Sequence, residues 1–511
     1  MVTTRDKFKE MQASEEKLKL GGGVEAIEKV HSESKLTSRE RIGRLLDPGS
    51  FMEIDLWARG CKTGFDIDEL QIPGDGVIAG YGEVKGRPIY VWANDNTVLD
   101  GTMAEVGIRK IVTAMEKALR ERVPIVGIYD SQGMRLQNLV HAHGFFTIGR
   151  MMHFQTISSG VIPQISLIMG PCTGGLALSS PLADFTFMVK KTSYMHIAPY
   201  STDEDGENLG ASEIHWNKSG NCDLLADDDA DCMDKCKKLL SVLPSHNKEK
   251  LPQVDNSDPP DRAEEDLLDI VPAEPNKYFD MRNVIRRVAD MGDYFEVKGA
   301  YARNLTTGFV RFNGRPAGII GNNSIWMAGC EDTRSSDKHA RFTRFCDAFN
   351  IPLIYFADCP GFMPSAAQER AGILRHGCMV IHSTAEATVP KITIYVRKCF
   401  GGAQLAMPCN CVKADRYLAW PIVQRGVMGA EGLAAIIFRN DIKKAKTPEE
   451  AQQIKEKGIE AMRERVEVFS IANNEGIIDP RQTRQTIIQA LECTKYKEQE
   501  MPWRKHENIN L

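Results

Sequence analysis

The sequence predicts an α/β fold built twice along one chain, and three matched segments predict it. "GYGEVKGRPIYVWAND" (80–95) resembles "GFVRFNGRPAGIIGNN" (308–323), with Gly80, Gly86, Arg87 and Pro88 matching Gly308, Gly314, Arg315 and Pro316 at one constant spacing. "VPIVGIYDSQG" (123–133) parallels "IPLIYFADCPG" (351–361) at that same spacing, and pairs Pro124 with Pro352, Asp130 with Asp358 and Gly133 with Gly361. "VIPQISLIMGPCTGG" (161–175) then parallels "VPKITIYVRKCFGG" (389–402) one residue out of step, so that Gly174 and Gly175 match Gly401 and Gly402. The chain has 511 residues, more than a single core supports, and divides into expected domains at 1–250 and 251–511.

Each half reads in the same order. A strand pair surrounds Gly-Arg-Pro, a tight turn between two alternating segments. A helix follows: "GIRKIVTAMEKALRE" (107–121) puts Ile108, Ile111, Val112, Met115 and Leu119 on one stripe. A short apolar strand then ends in Asp-x-x-Gly, a second helix follows, and another apolar strand ends in Gly-Gly. Strand and helix alternate, so the sheets are expected to be partly parallel. Between the halves, residues 243–277 are rich in Pro, Asp and Glu, the composition of a linker or an extended surface connection.

The composition excludes several classes. The apolar fraction is 42%, the charged fraction 26% and the net charge -5, as in an ordinary globular protein. No basic block points to nucleic acid. The charged N-terminus lacks the apolar centre of a signal peptide, and no long apolar run predicts a membrane span, so a cytoplasmic protein is expected. The 13 cysteines form no Cys-x-x-Cys pair; "CMDKC" (232–236) and "CNC" (409–411) are weak zinc patterns, read as reduced and mostly buried thiols. "HAH" (141–143) reads as a polar pocket edge, and no metal is expected.

The two Gly-Gly turns are the chemical signal. A strand running through Gly-Gly into a helix leaves backbone N–H groups without intrahelical partners, and glycine lets a ligand approach them. The dipole of a following helix adds favourable potential for negative charge. Aimed at a carbonyl, such donors stabilise an enolate oxygen, each worth about 3 kcal/mol of barrier. Asp130 and Asp358 end strands and are read as helix caps in preference to bases. Walker, Gly-x-Ser-x-Gly and His-Glu-x-x-His motifs do not occur, so the chemistry is expected to rest on backbone amides.

Longer motifs carry a resemblance. "KLTSRERIGRLLDPGSFMEID" (35–55), "ISSGVIPQISLIMGPCTGG" (157–175), "AGCEDTRSSDKHARFTRFCDAFNIPL" (328–353), "PGFMPSAAQERAGILRHG" (360–377), "RKCFGGA" (397–403) and "KHENINL" (505–511) resemble the carboxyltransferase (beta) subunit of biotin-dependent acyl-CoA carboxylases, propionyl-CoA type. The chain is also similar to the alpha subunit of sodium-pumping methylmalonyl-CoA decarboxylases. The resemblance implies two tandem crotonase-like domains, acyl-CoA on the N-terminal half and carboxybiotin on the C-terminal half. It implies a hexamer whose halves face each other between subunits. It implies one oxyanion hole from amides near Gly174, Gly175 and Leu176 and another from Gly402 and Ala403, with an added amide near Gly133 or Met134. Arg135, Gln404 and Leu405 fall at substrate-binding positions.

The implied reaction moves a carboxyl group between carboxybiotin and the α-carbon of an acyl-CoA through an enolate. No biotin-acceptor motif or ATP-binding loop is seen, so biotin is expected in trans on a carrier, with a biotin carboxylase or membrane decarboxylase as a further partner. The propionyl type carries Gly-Gly-Ala-Tyr-Asp where this chain has Gly401, Gly402, Ala403, Gln404 and Leu405, and a small Ala where it has Leu176. Met134 and the short stretch 201–213 also depart from the pattern. An acyl group other than propionyl is expected. Two alternatives stand beside this reading: a decarboxylase subunit running the same half-reaction in reverse, and a structural partner whose own site is degenerate.

Overall fold

A computed structural model describes residues 2–60, 62, 65–139, 143–198, 202, 207–470 and 475–509. The chain divides into two compact units, Met1–Lys250 and Leu251–Leu511. Among the described residues each unit holds one eight-stranded sheet. In the first, the strands are β1 (Met52–Glu53), β2 (Val77–Val84), β3 (Arg87–Asn94), β4 (Ile125–Ser131), β5 (Gln164–Thr173), β6 (Phe185–Val189), β7 (Tyr194–His196) and β8 (Leu224–Ala226). They run in the order β1-β2-β3-β4-β5-β6-β8, with β7 also paired to β5. The second unit repeats the order as β9 (Phe295–Val297), β10 (Leu305–Phe312), β11 (Arg315–Asn322), β12 (Leu353–Cys359), β13 (Lys391–Phe400), β14 (Arg416–Ala419) and β16 (Gly476–Ile477), with β15 (Gln424–Gly426) on β13.

The Gly-Arg-Pro segments are hairpins. Val84 faces Arg87 and Phe312 faces Arg315, which leaves two-residue loops. Lys85 (φ 53°) with Gly86 (φ 72°), and Asn313 (φ 50°) with Gly314 (φ 79°), have the two positive φ values of a type I′ turn. Asp47 accepts from the amides of the first loop and Asp290 from those of the second. From β3 to β6, and from β11 to β14, the strands are parallel. The helix Glu105–Glu121 packs its apolar stripe into the first core, with Ile108, Ile111 and Met115 buried there. In the second unit its counterpart is Thr333–Ala348.

Residues 251–277 run mostly without regular structure but are not a free linker. Val254 donates to Gly314 O, and the Asp258 carboxylate pairs with Arg262. The carbonyls of Pro272, Glu274 and Lys277 all accept from one buried arginine, Arg397. No helix among the described residues is long and apolar enough to cross a membrane.

Candidate functional site: the paired strand ends

Both sheets break register at the same place. Tyr129 faces Ile168 and Ser131 faces Cys172, so one residue, Asp130, stands opposite three, Met169–Pro171. In the second unit Asp358 stands opposite Val396–Lys398. These bulges let the ends of β4/β5 and of β12/β13 run on as turns. The glycines that follow have two separate reasons. Gly174 (φ 62°) and Gly401 (φ 53°) are left-handed. Gly175 and Gly402 are not; they make room. A Cβ on Gly175 would lie 2.5 Å from Ile148 Cδ1, and one on Gly402 would lie 2.9 Å from the Phe362 ring.

The backbone donors sort themselves by what they already hold. Gly174 N–H donates to His196 O at 3.2 Å and Gly401 N–H to Gly426 O at 2.9 Å. Gly133 N–H donates to the Ser131 hydroxyl at 2.9 Å. Among the described residues the amides of Gly175, Leu176 and Met134 in the first unit take no such partner, nor do those of Gly402, Ala403, Gly361 and Phe362 in the second. Of the residues marked in the sequence, Gly174 and Gly133 therefore shape the turn, while their neighbours present the donors. The following helices run only five residues (Gly175–Ser179) and four (Ala403–Ala406), so individual amides, rather than a long helix dipole, supply the positive potential.

Asp130 and Asp358 are not helix caps. Asp130 is buried and bonded to Arg41 at 2.8 Å, to Lys35 and to Asn96. Asp358 is fully buried and takes Arg397 through both carboxylate oxygens, at 2.9 and 3.2 Å. Both carboxylates are committed to these partners and face no following helix N-terminus. The two halves place the arginine differently. In the first it comes from the helix Ser38–Leu45, and the strand position beside the aspartate is Gly170, where a Cβ would fall 1.8 Å from Asp130 Oδ1. In the second the fourth residue of the matching helix Met281–Val288 is Val284, and the strand position is Arg397 itself. Arg397 also ties the carbonyls of 272–277 to the strand end.

Other residues marked in the sequence have structural employment. The Arg135 guanidinium is buried and committed to Asp75 at 2.6 Å and to Thr102 O at 2.9 Å, so it does not offer its charge to a ligand. The Gln404 side chain donates to Gly426 O and accepts from Arg425. Leu176 is fully buried in the first core, whereas Met134 and Leu405 are part-exposed. Cys232 and Cys236 are buried; burial pushes the Cys236 thiol up to about 12, which keeps it protonated. The Cys409 and Cys411 sulfurs lie 2.9 Å apart. Among the described residues no group of three or more His, Cys, Asp or Glu side chains is placed to hold a metal. His141 and Ala142 of the "HAH" segment lie outside the described residues.

Each strand-end region opens on a cavity. The first, of about 550 Å³, is lined by Asp130, Gln132 and Pro171 together with Lys29, Lys35 and Lys191. The second, of about 1020 Å³, is lined by the 273–278 segment, Lys398, Phe400 and Arg463.

The carboxyl transferase domain family matches residues 29–509. The chain is 41% identical over 521 residues to the methylmalonyl-CoA decarboxylase subunit alpha of Propionigenium modestum, covering 100% of both. It is 38% identical to the propionyl-CoA carboxylase beta chain of Roseobacter denitrificans, covering 99% of this chain and 100% of the relative. Among solved structures it matches the transcarboxylase 12S hexamer core, determined with methylmalonyl-coenzyme A and methylmalonic acid bound, at a TM-score of 0.94 and 39% identity over 100% of this chain and 99% of that one. A duplicated α/β unit, two turns of unpaired amides and likeness along the whole length agree: the chain belongs to the carboxyl transferase family.

Proposed function

We propose that the chain is the carboxyltransferase subunit of a biotin-dependent acyl-CoA system, assembled as a hexamer and served by biotin on a separate carrier. The observation that carries this reading is the pair of strand-end turns, each leaving backbone amides unpaired; a cavity reaches each strand end, at Gln132 and Pro171 in the first unit and at Pro360 and Phe400 in the second. The acyl-CoA is assigned to the first unit, where Lys29 and Lys191 line the cavity and suit the phosphates of coenzyme A. The biotin ring is assigned to the second.

The donors fit these ligands: a thioester and a ureido group each present one carbonyl oxygen that gains charge. Carboxybiotin, when bound, supplies carbon dioxide and the acceptor for the α-proton. The chain's own part is electrostatic. The amides of Gly175, Leu176 and Met134 would hold the thioester oxygen as it becomes an enolate, and those of Gly402 and Ala403 the ureido oxygen. Such fixed donors act without reorganising as charge develops. Leu405, part-exposed just after the second turn, stands where the propionyl type has Asp, and on that resemblance favours a bulkier acyl chain than propionyl.

The reverse direction, decarboxylation with transfer to biotin, uses the same groups. Incubating the purified chain with free biotin and a panel of α-carboxyacyl-CoA thioesters tests the reading. Biotin-dependent loss of the carboxyl group supports it; no turnover from any thioester by a folded, assembled protein refutes it.

A further inference from the structure

The two units are each other's control, and they differ sharply at one buried layer. In the first unit the helix Glu105–Glu121 turns Ile108, Ile111 and Met115 into the core, and Met103 fills the space before it. The matched positions of the second unit carry Ser336, His339 and Thr343 on the helix Thr333–Ala348, and Glu331 before it. All four are buried. The backbone match at 103 and 331 is direct. Met103 N–H donates to Gly133 O and Met103 O accepts from Arg135 N–H; Glu331 N–H donates to Gly361 O at 3.1 Å and Glu331 O accepts from Met363 N–H at 2.8 Å.

Glu331 Oε1 lies 3.2 Å from His339 Nδ1, and both side chains are 2% exposed or less. The outer atoms of the pair, Glu331 Oε2 and His339 Nε2, have no hydrogen-bond partner, nor has the Ser336 hydroxyl. The His339 ring stands 5.9 Å from that of Tyr355 on β12. A polar pair so placed is a poor source of stability: apolar residues of like volume serve as well or better, as Met103 and Ile111 do in the first unit. Its backbone position joins it to the second strand-end turn. Residue 331 brackets the turn Gly361–Met363 from both sides, and the Phe362 ring from that turn lies against Gly402.

We propose that Glu331 and His339 are positioning residues for the second strand-end turn. The pair fixes the Glu331 peptide groups, and through them the Phe362 amide and ring, in the geometry that the Gly402 and Ala403 donors require. This rests on the reading that the turn contributes to an oxyanion site.

The test replaces the pair by the one the first unit uses, Glu331→Met with His339→Ile. Thermal unfolding should be unchanged or higher. Hydrogen exchange of the Met363 amide, which donates to Glu331 O, should quicken at least tenfold, and kcat for carboxyl transfer should fall at least tenfold while KM for the acyl-CoA stays within twofold. Glu331→Gln, which keeps an acceptor for His339, should restore slow exchange and most of kcat. Slow exchange in the double variant overturns the proposal, whatever the reaction proves to be. Quickened exchange with unchanged kcat overturns it for the reaction alone. If the double variant does not assemble, Glu331→Met alone decides by the same exchange rate: faster supports the proposal and unchanged overturns it.

Discussion

Arg397 makes a sharp stability prediction. Arg397→Met removes a fully buried guanidinium that holds both oxygens of Asp358 and three carbonyls, those of Pro272, Glu274 and Lys277. Breaking a buried pair from one side costs about 3–5 kcal/mol. Lys398 softens this, since its amide donates to Asp358 at 3.2 Å and its ammonium lies 3.9 Å away, so the lower end applies to the pair. The stranded carbonyls add about 1–3 kcal/mol each where water cannot reach them. A loss of at least about 3 kcal/mol lowers the unfolding midpoint of the second unit by roughly 6–12 °C. Calorimetry should show that shift, and carboxyl transfer should show a raised KM for biotin, because the 273–278 segment lines the second cavity. The first unit suggests a rescue. Val284→Arg with Arg397→Gly copies the Arg41 and Gly170 arrangement, and should recover the Asp358 share of the loss but not the carbonyl share. Unfolding of Arg397→Met at the wild-type temperature would refute the reasoning.

Gly402→Ala meets no backbone strain at φ -61°, but its Cβ displaces the Phe362 ring; kcat should fall about tenfold with a small change in unfolding. Leu405→Asp should lower kcat/KM for long acyl chains relative to propionyl in a series from acetyl to hexanoyl, since each buried methylene is worth about 0.8 kcal/mol; an unchanged ranking would remove Leu405 from the acyl pocket. Burial pushes the Lys338 ammonium down to about 7. Above that pH and below its ordinary range the unfolded chain binds the extra proton, so this group's contribution to stability rises with pH from about 7 to 10. Urea titrations should show a flatter pH dependence in Lys338→Met.

The duplicated order of strands was legible because matched residues recur at a fixed spacing and the hairpin turns demand their own residues. Asn313-Gly314 and Lys85-Gly86 write a type I′ loop locally, and Asp290 and Asp47 then hold the loop amides. The strand ends were legible as places, and less so as chemistry. Asp130 read as a cap because its arginine lies far away at 41, and a non-local partner leaves no local trace. Arg135 read as a ligand contact for the same reason: Asp75 holds it from 60 positions earlier. The need for glycine at 175 and 402 comes from Ile148 and Phe362, side chains delivered by other segments. The polar stripe of Ser336, His339 and Thr343 was visible in the sequence, and comparing it with Ile108, Ile111 and Met115 at the repeat spacing would have found it.

In the proposed reaction, backbone amides at two matched turns drive carboxyl transfer. Single-turnover transfer of a labelled carboxyl group from an α-carboxyacyl-CoA to biotin, in the assembled wild type and in Gly402→Ala, tests it most directly. The expected result is biotin-dependent transfer in the wild type, slowed about tenfold in the variant with acyl-CoA binding unchanged. Equal rates in the two proteins, or transfer that does not need biotin, would contradict it.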